Sequence, residues 1–219
     1  MARMSSSKNN FEMQVEVKNI KGESTGRSIE LPADIFGIEP NEHAVYLAVK
    51  QYLAHQRQGN SKTKERSEAS GSTRKLHKQK GTGGSRKGDI NSVVLGGSRT
   101  FGPKPHDYVI KLNKKVRQLA RKSVLSAKAA AGSITIVEDF SFDAPKTKDF
   151  VNVLVGLGVK SKKSLVVLPE LNEVILKSSR NAERTGVARA GDLNTYQIMN
   201  TQALVLTESS IAKIQETFA

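Results

Sequence analysis

Between Arg57 and Lys104 the sequence offers a fold almost nothing to bury. These 48 residues hold twelve Lys and Arg against three acids (Glu65, Glu68, Asp89), a local balance of +9 within a chain total of +14. Nine of the seventeen glycines lie here as well. The large apolar side chains are Leu76, Ile90, Val93, Val94, Leu95 and Phe101, at a period of neither two nor 3.6. Ordering a backbone costs roughly 1–2 kcal/mol per residue, and a segment this poor in apolar surface has little to offset that. Loops beyond about 12–15 residues are uncommon unless they are functional or disordered. The sequence therefore predicts a loop that is mobile in the isolated chain and ordered by a partner. Its charge predicts a polyanion.

The charge is unevenly placed. Lys111–Lys128 adds seven basic residues with no acid, whereas the rest of the chain carries sixteen basic and eighteen acidic residues. One contiguous third thus holds all the excess positive charge, the footprint of a nucleic-acid-binding face. A tract built for solubility alone would not need so much glycine.

Outside the loop the patterns are regular, and about 170 residues suffice for one domain that buries roughly 70% of its unfolded surface. Phe11–Ile20 alternates as a half-exposed strand, Gly22 and Gly26 mark a turn, and Arg27–Leu31 is its hairpin partner. Asn41 opens a helix over Glu42–Gln56 with Val45, Val49, Tyr52 and Leu53 on one face. Asn113 is read as the cap of a second helix that reaches Ala131, with Val116, Leu119, Ala120, Val124 and Ala127 as its apolar face and Gly132 as its left-handed stop. Lys114, Arg117, Arg121 and Lys128 recur on another face of that helix. Buried strands follow at Ile134–Glu138, Leu165–Leu168 and Ala203–Leu206, with a short extra one at Gly186–Arg189. Helices are predicted at Lys146–Leu157, Glu170–Lys177, Thr195–Asn200 and Ser209–Phe218. Strands alternating with helices imply right-handed βαβ units. The predicted fold class is α/β: a three-layer α/β/α domain with a mostly parallel sheet, plus a long extended basic loop inserted between two N-terminal helices. Residues 1–10 are expected to be a flexible tail, 11–56 and 105–219 one globular domain, and 57–104 the loop.

Several chemistries find no support. The chain lacks cysteine, so disulfides and thiolate metal sites are excluded. No apolar run of about 18 residues predicts a membrane span, and the first ten residues carry no secretory signal. GxxxxGK[ST] does not occur. Gly81, Gly83 and Gly84 approach GxGxxG, but Arg86 stands at the last glycine and the run lies inside the loop. His43, His55, His77 and His106 have no metal-binding spacing. No nucleophile–base pair stands out, so neither catalysis nor a cofactor is expected.

The loop's chemistry is phosphate recognition. Arg offers a planar fork and Lys a compact point charge. The candidates are Arg57, Lys62, Lys64, Arg66, Arg74, Lys75, Lys78, Lys80, Arg86, Lys87, Arg99 and Lys104, aided by Lys114, Arg117 and Arg121 on the basic helix. His77 and His106 are placed to touch phosphate or a base. Gly81, Thr82, Gly83 and Gly84, and also Gly96-Gly97, let backbone amides approach phosphates with no Cβ in the way. A deep basic arm with few aromatics suits folded RNA, which is read largely through shape and phosphates.

Specific runs then stand out. Lys62-Thr63-Lys64-Glu65-Arg66-Ser67-Glu68, Gly71-Ser72, and Gln79-Lys80-Gly81-Thr82-Gly83 with Gly88 resemble the loop signature of large-subunit ribosomal protein four, of the bacterial type. The resemblance continues through Asn113-Lys114-Lys115, Ala144-Pro145-Lys146-Thr147-Lys148 and Arg180-Asn181, covering nearly everything from Phe11 onward. Where that family often carries Pro-Trp before the Gln-Lys-Gly-Thr-Gly run, this chain has Leu76-His77, and Gly84-Ser85-Arg86-Lys87 follows it. The resemblance implies a cytoplasmic structural component of the large ribosomal subunit that binds large-subunit rRNA early in assembly. It also implies a loop tip lining the nascent-peptide exit tunnel opposite protein twenty-two, and in some bacteria binding of the protein's own messenger leader. Two other classes stay in view: a regulatory RNA binder acting off the ribosome, and a nucleotide-dependent enzyme with a basic lid.

Overall fold

A computed structural model describes residues 13–218; the expected tail and the first residues of the strand begun at Phe11 lie outside them. The described chain divides into two compact units, one made of the residues up to Tyr52 with those from Lys111 on, the other of Leu53–Ile110.

The first unit is a six-stranded sheet covered on both faces. Its strands are β1 (Met13–Lys18), β2 (Ser24–Leu31), β3 (Ile134–Val137), β4 (Ser164–Leu168), β5 (Thr185–Arg189) and β6 (Ala203–Thr207). The helices are α1 (Ala33–Phe36), α2 (Glu42–His55), α3 (Lys114–Ala130), α4 (Thr147–Gly156), α5 (Glu173–Ser179), α6 (Thr195–Met199) and α7 (Glu208–Phe218). Strand order is β2-β1-β3-β6-β4-β5, with β1–β2 an antiparallel hairpin and every other pairing parallel. The predicted α/β class, mostly parallel sheet and helices on both faces are all present.

Period two sorts the strand side chains between the faces. Val17, Ile136, Leu165, Val167, Leu204 and Leu206 pack with Phe36 of α1, Val124 and Leu125 of α3, Ile198 of α6, and Ile211 and Ile214 of α7. Val137, Val166, Leu168 and Val205 face the other way, onto Phe150, Val153 and Leu154 of α4 and Ile175 of α5. Because both faces are covered, β4 and β6 are buried at every residue.

The helix predictions hold in kind and err in phase. Asn41 does cap α2, its Oδ1 accepting the Ala44 N–H at 2.9 Å. The residues α2 buries are Ala44 and Ala48, which meet Ala120 of α3, while Leu53 is exposed. On α3 the buried face is Ala120, Val124, Leu125 and Ala129 with Ser123 and Ser126; Leu119 and Ala127 are exposed. The two serines explain the misphasing. Their hydroxyls donate to the Leu119 and Ile38 carbonyls, so polar residues sit on the buried face at little cost. Asn113 holds the N-cap position of α3 without a side-chain capping bond. Gly132, at φ +62°, ends α3 in a Schellman turn, with Gly132 and Ser133 donating to Ala129 and Lys128 carbonyls. α5 starts later than predicted because Asn172 is its cap, accepting from the Val174 N–H. The short α1 was not anticipated, so the insertion lies between the second and third helices rather than the first two.

Candidate nucleic-acid interface

The loop unit contains turns, one 3-10 turn at Val93–Leu95, and almost no regular structure. Its two arms are joined by single backbone hydrogen bonds. From base to tip, His106 N–H donates to Gly59 O (3.2 Å), Thr63 N–H to Pro103 O (3.2 Å), Arg99 N–H to Lys64 O (3.1 Å) and Leu76 N–H to Gly88 O (2.9 Å). At the base the Arg57 guanidinium lies 3.6 Å from the Tyr108 ring centroid, a cation–π contact. His106 also packs on Tyr108, at 4.6 Å between ring centroids. Gly59 is required there, since at φ +64° a Cβ would strike the His106 carbonyl oxygen.

The middle of the arm has an interior that the apolar pattern could not reveal, because it is polar. Asp89 and Asn91 are buried. Asp89 Oδ2 accepts from Arg66 at 2.8 Å, Asn91 Nδ2 donates to the Ala69 carbonyl at 3.1 Å, and Ser98 Oγ donates to the Asn91 carbonyl at 2.6 Å. Gly97 lies against the Ile90 carbonyl and Asn91, leaving no room for a Cβ, and Gly96 ends the 3-10 turn at φ +75°. Of Gly96-Gly97, which the sequence offers as a phosphate cradle, Gly97 is packed within the arm, whereas Gly96 has open space where a Cβ would stand. The only sequence signal for this clasp is the Asp-x-Asn run after Gly88, residue types that bond to nearby backbone.

All three loop acids are engaged. Besides Arg66–Asp89, Lys62 pairs with Glu68 at 2.9 Å and Lys104 with Glu65 at 2.7 Å. The hydrogen bond from Lys62, joined by the backbone at Glu65, holds the Glu68 carboxyl below its ordinary range. That pairing is complete above the usual carboxylate pKa and is lost only as pH falls through the lowered value. In the other pair, the Lys104 pKa is raised by its hydrogen bond to Glu65.

Cations without such partners gather toward the tip. From Arg74 to Lys87 there are six Lys and Arg and no acid. Lys87 is half-buried and all the others, with His77, Gly81, Thr82 and Gly83, are exposed. Lys75 donates to Gln79 at 3.0 Å, whereas Arg74, Lys78, Lys80, Arg86 and Lys87 have no side-chain partner among the described residues. Gly81 and Gly83 have φ of +89° and +68° with open space where a Cβ would stand. Lys64 and Arg99, joined by their backbone, carry free heads on the shaft. On α3, Lys114 and Arg117 are exposed. Arg121 is packed over the Phe218 ring at 5.0 Å, and burial, then the nearby Arg117 charge, pulls its pKa down. Lys128 donates to the Thr201 carbonyl, which takes it out of the stripe.

The clasp yields a direct expectation. Arg66→Ala leaves the Asp89 carboxylate buried without its cation, a loss of about 1–3 kcal/mol. Hydrogen exchange at the Arg99 amide should accelerate roughly five- to hundredfold. Lys62→Ala, which removes an ion pair exposed on both sides, should change it little. Equal effects would mean that the buried carboxylate does not organise the shaft.

The sheet's C-terminal edge is where such a fold takes a nucleotide. A crevice of about 500 Å³ lies there, lined by Asp139, Leu168, Asn172, Thr207 and Ser209 among others. Its anion-binding positions are already filled. Asp139 Oδ1 accepts from the Ser209 N–H and hydroxyl at the start of α7, and Asn172 Oδ1 accepts from the Val174 N–H at the start of α5. Among the described residues no cluster of His, Asp and Glu is placed to hold a metal ion, and no helix is long and apolar enough to cross a membrane.

Comparison with known proteins agrees with these features. The pattern of the ribosomal protein L4/L1 family matches residues 29–217. The chain is 61% identical over 204 residues to the large ribosomal subunit protein uL4 of Phocaeicola vulgatus, covering 93% of this chain and 98% of that one. It is 60% identical over 207 residues to the uL4 of Parabacteroides distasonis, covering 94% and 99%. Against the uL4 of Flavobacterium psychrophilum the identity is 53% over 208 residues, covering 94% and 100%.

Proposed function

Because this chain belongs to the ribosomal protein L4/L1 family, we propose that it is a structural constituent of the large ribosomal subunit, bound to large-subunit rRNA and to neighbouring ribosomal proteins in the cytoplasm. It is a structural component, not an enzyme. The carrying observation is the segregation of charge along the loop: acids and paired cations in the shaft, six cations and no acid from Arg74 to Lys87. A surface of one sign with glycine at positive φ leaves phosphate oxygens room to reach both side chains and amides.

In this reading the shaft enters the rRNA early in assembly with its clasp formed, and the tip takes its final shape there. Lys78, Lys80, Arg86 and Lys87 meet phosphates, while Gly81, Thr82 and Gly83 supply close backbone approach. Lys114 and Arg117 add contacts from the basic helix. The tip, in the same reading, lines the path of the nascent peptide beside protein twenty-two.

Footprinting and crosslinking test both levels. The full chain should cosediment stoichiometrically with large-subunit particles and protect rRNA from hydroxyl radicals. Proteases should cut the free protein first between about residues 72 and 88, and rRNA should shield those bonds. A photoreactive residue at Thr82 should label a stalled nascent chain. Failure to cosediment would overturn the ribosomal reading, whereas labelling of rRNA alone would remove only the tunnel position.

A further inference from the structure

Phe101 is the one Phe, Tyr or Trp between Tyr52 and Tyr108, and it is 98% exposed with φ +50°. A singly exposed apolar side chain is ordinary, but a bulky residue in the left-handed region is an outlier that the surrounding structure must impose. The imposing contacts are visible. On one side Arg99 N–H donates to Lys64 O, and on the other Thr63 N–H donates to Pro103 O. One step along the first arm therefore spans four along the second, and Thr100, Phe101 and Gly102 are pushed out as a bulge. Gly102 lets that bulge sit down on Thr63, since a Cβ there would collide with the Thr63 hydroxyl. The ring is thus held off the protein at a pinned point of the shaft. Next to that point are Lys64 and Arg99, whose charged heads have no partner among the described residues.

Resting on the RNA-binding reading above, we propose that Phe101 is a base-stacking anchor: its ring stacks on an unpaired RNA base while Lys64 and Arg99 meet the flanking phosphates. The elements of a single-strand stacking site, an aromatic face beside cations, are here reduced to one residue and fixed by the backbone. A mobile phenylalanine would lose rotational freedom on stacking; this one has its backbone set before RNA arrives.

The chain has no tryptophan, so Phe101→Trp installs a single reporter. The full-length protein is titrated with an in vitro transcript of the large-subunit rRNA. Phe101→Trp should bind within about twofold of the parent, and its emission should be quenched at saturation. Phe101→Leu and Phe101→Gly should bind roughly five- to hundredfold more weakly with an unchanged salt slope, because stacking releases no counterions. Phe101→Gly should not lower the melting temperature, since glycine suits this φ. A Phe101→Gly protein that melts earlier would make the residue structural and overturn the proposal. Unquenched tryptophan emission that shifts to the blue only in the assembled particle would place the ring in a protein pocket, with the same consequence. If the parent binds with steep salt dependence and Phe101→Leu matches it, stacking alone fails. If the parent itself does not bind, the RNA reading fails first.

Discussion

Replacing Arg74, Lys75, Lys78, Lys80, Arg86 and Lys87 together by Gln should remove most of the chain's affinity for large-subunit rRNA and flatten its salt dependence. A protein that makes six to ten phosphate contacts loses about 10³–10⁵ in affinity between roughly 50 and 200 mM salt, because each neutralised phosphate releases condensed counterions. Each cation lost should reduce the slope of log K against log salt by about one unit. Lys62, Arg66 and Lys104 make the contrast. They are engaged with Glu68, Asp89 and Glu65, so substituting one of them should change the slope less than substituting a tip residue of the same charge. Filter binding or fluorescence anisotropy at four or more salt concentrations reads both quantities. Equal slopes for the tip variant and the parent would mean that the unpaired cations are not the contact surface.

The second large effect belongs to the sheet. Phe150 is 1% exposed and packs between α4 and the strand face formed by Val137, Val166 and Val205. Phe150→Ala deletes a ring from an interior that cannot fully collapse, at a cost of about 3–5 kcal/mol. Set against a total stability of about 5–15 kcal/mol, that is a large share. At roughly 2–4 °C per kcal/mol for a chain of this size, melting should fall by about 6–20 °C. Val155 on the same helix is 52% exposed, and Val155→Ala should stay within about 0.5 kcal/mol of the parent. Calorimetry that finds the two variants alike would contradict the packing described for this face.

The sheet was legible in the sequence because its signal is apolar and local. ITIV, LVVL and ALVL are buried on both faces, and a run of that kind has few alternatives. Helix phase was less legible. Ser123 and Ser126 look like surface residues until the Leu119 and Ile38 carbonyls are known to receive them. The tip was readable as charge without acid. The clasp was not, because Asp89 and Asn91 are ordinary turn residues whose burial depends on Arg66, Ala69 and Ser98, up to 23 positions away. Phe101 was visible only as an isolated aromatic. Its significance lies in a backbone angle set by two cross-arm hydrogen bonds, and no composition or period encodes that.

The strand order carries a consequence for synthesis. β6, inside the sheet between β3 and β4, is made after the other described strands, and β3 and β4 are each hydrogen-bonded to it. Until residues 203–207 leave the translating ribosome, the half-sheets β2-β1-β3 and β4-β5 have no bond between them. The basic insertion is complete roughly a hundred residues earlier, an interval of about 5–20 s at ordinary elongation rates. For that time a finished polycation is tethered to an unclosed domain, so the newborn chain can meet nucleic acid before it has a rigid body to carry there.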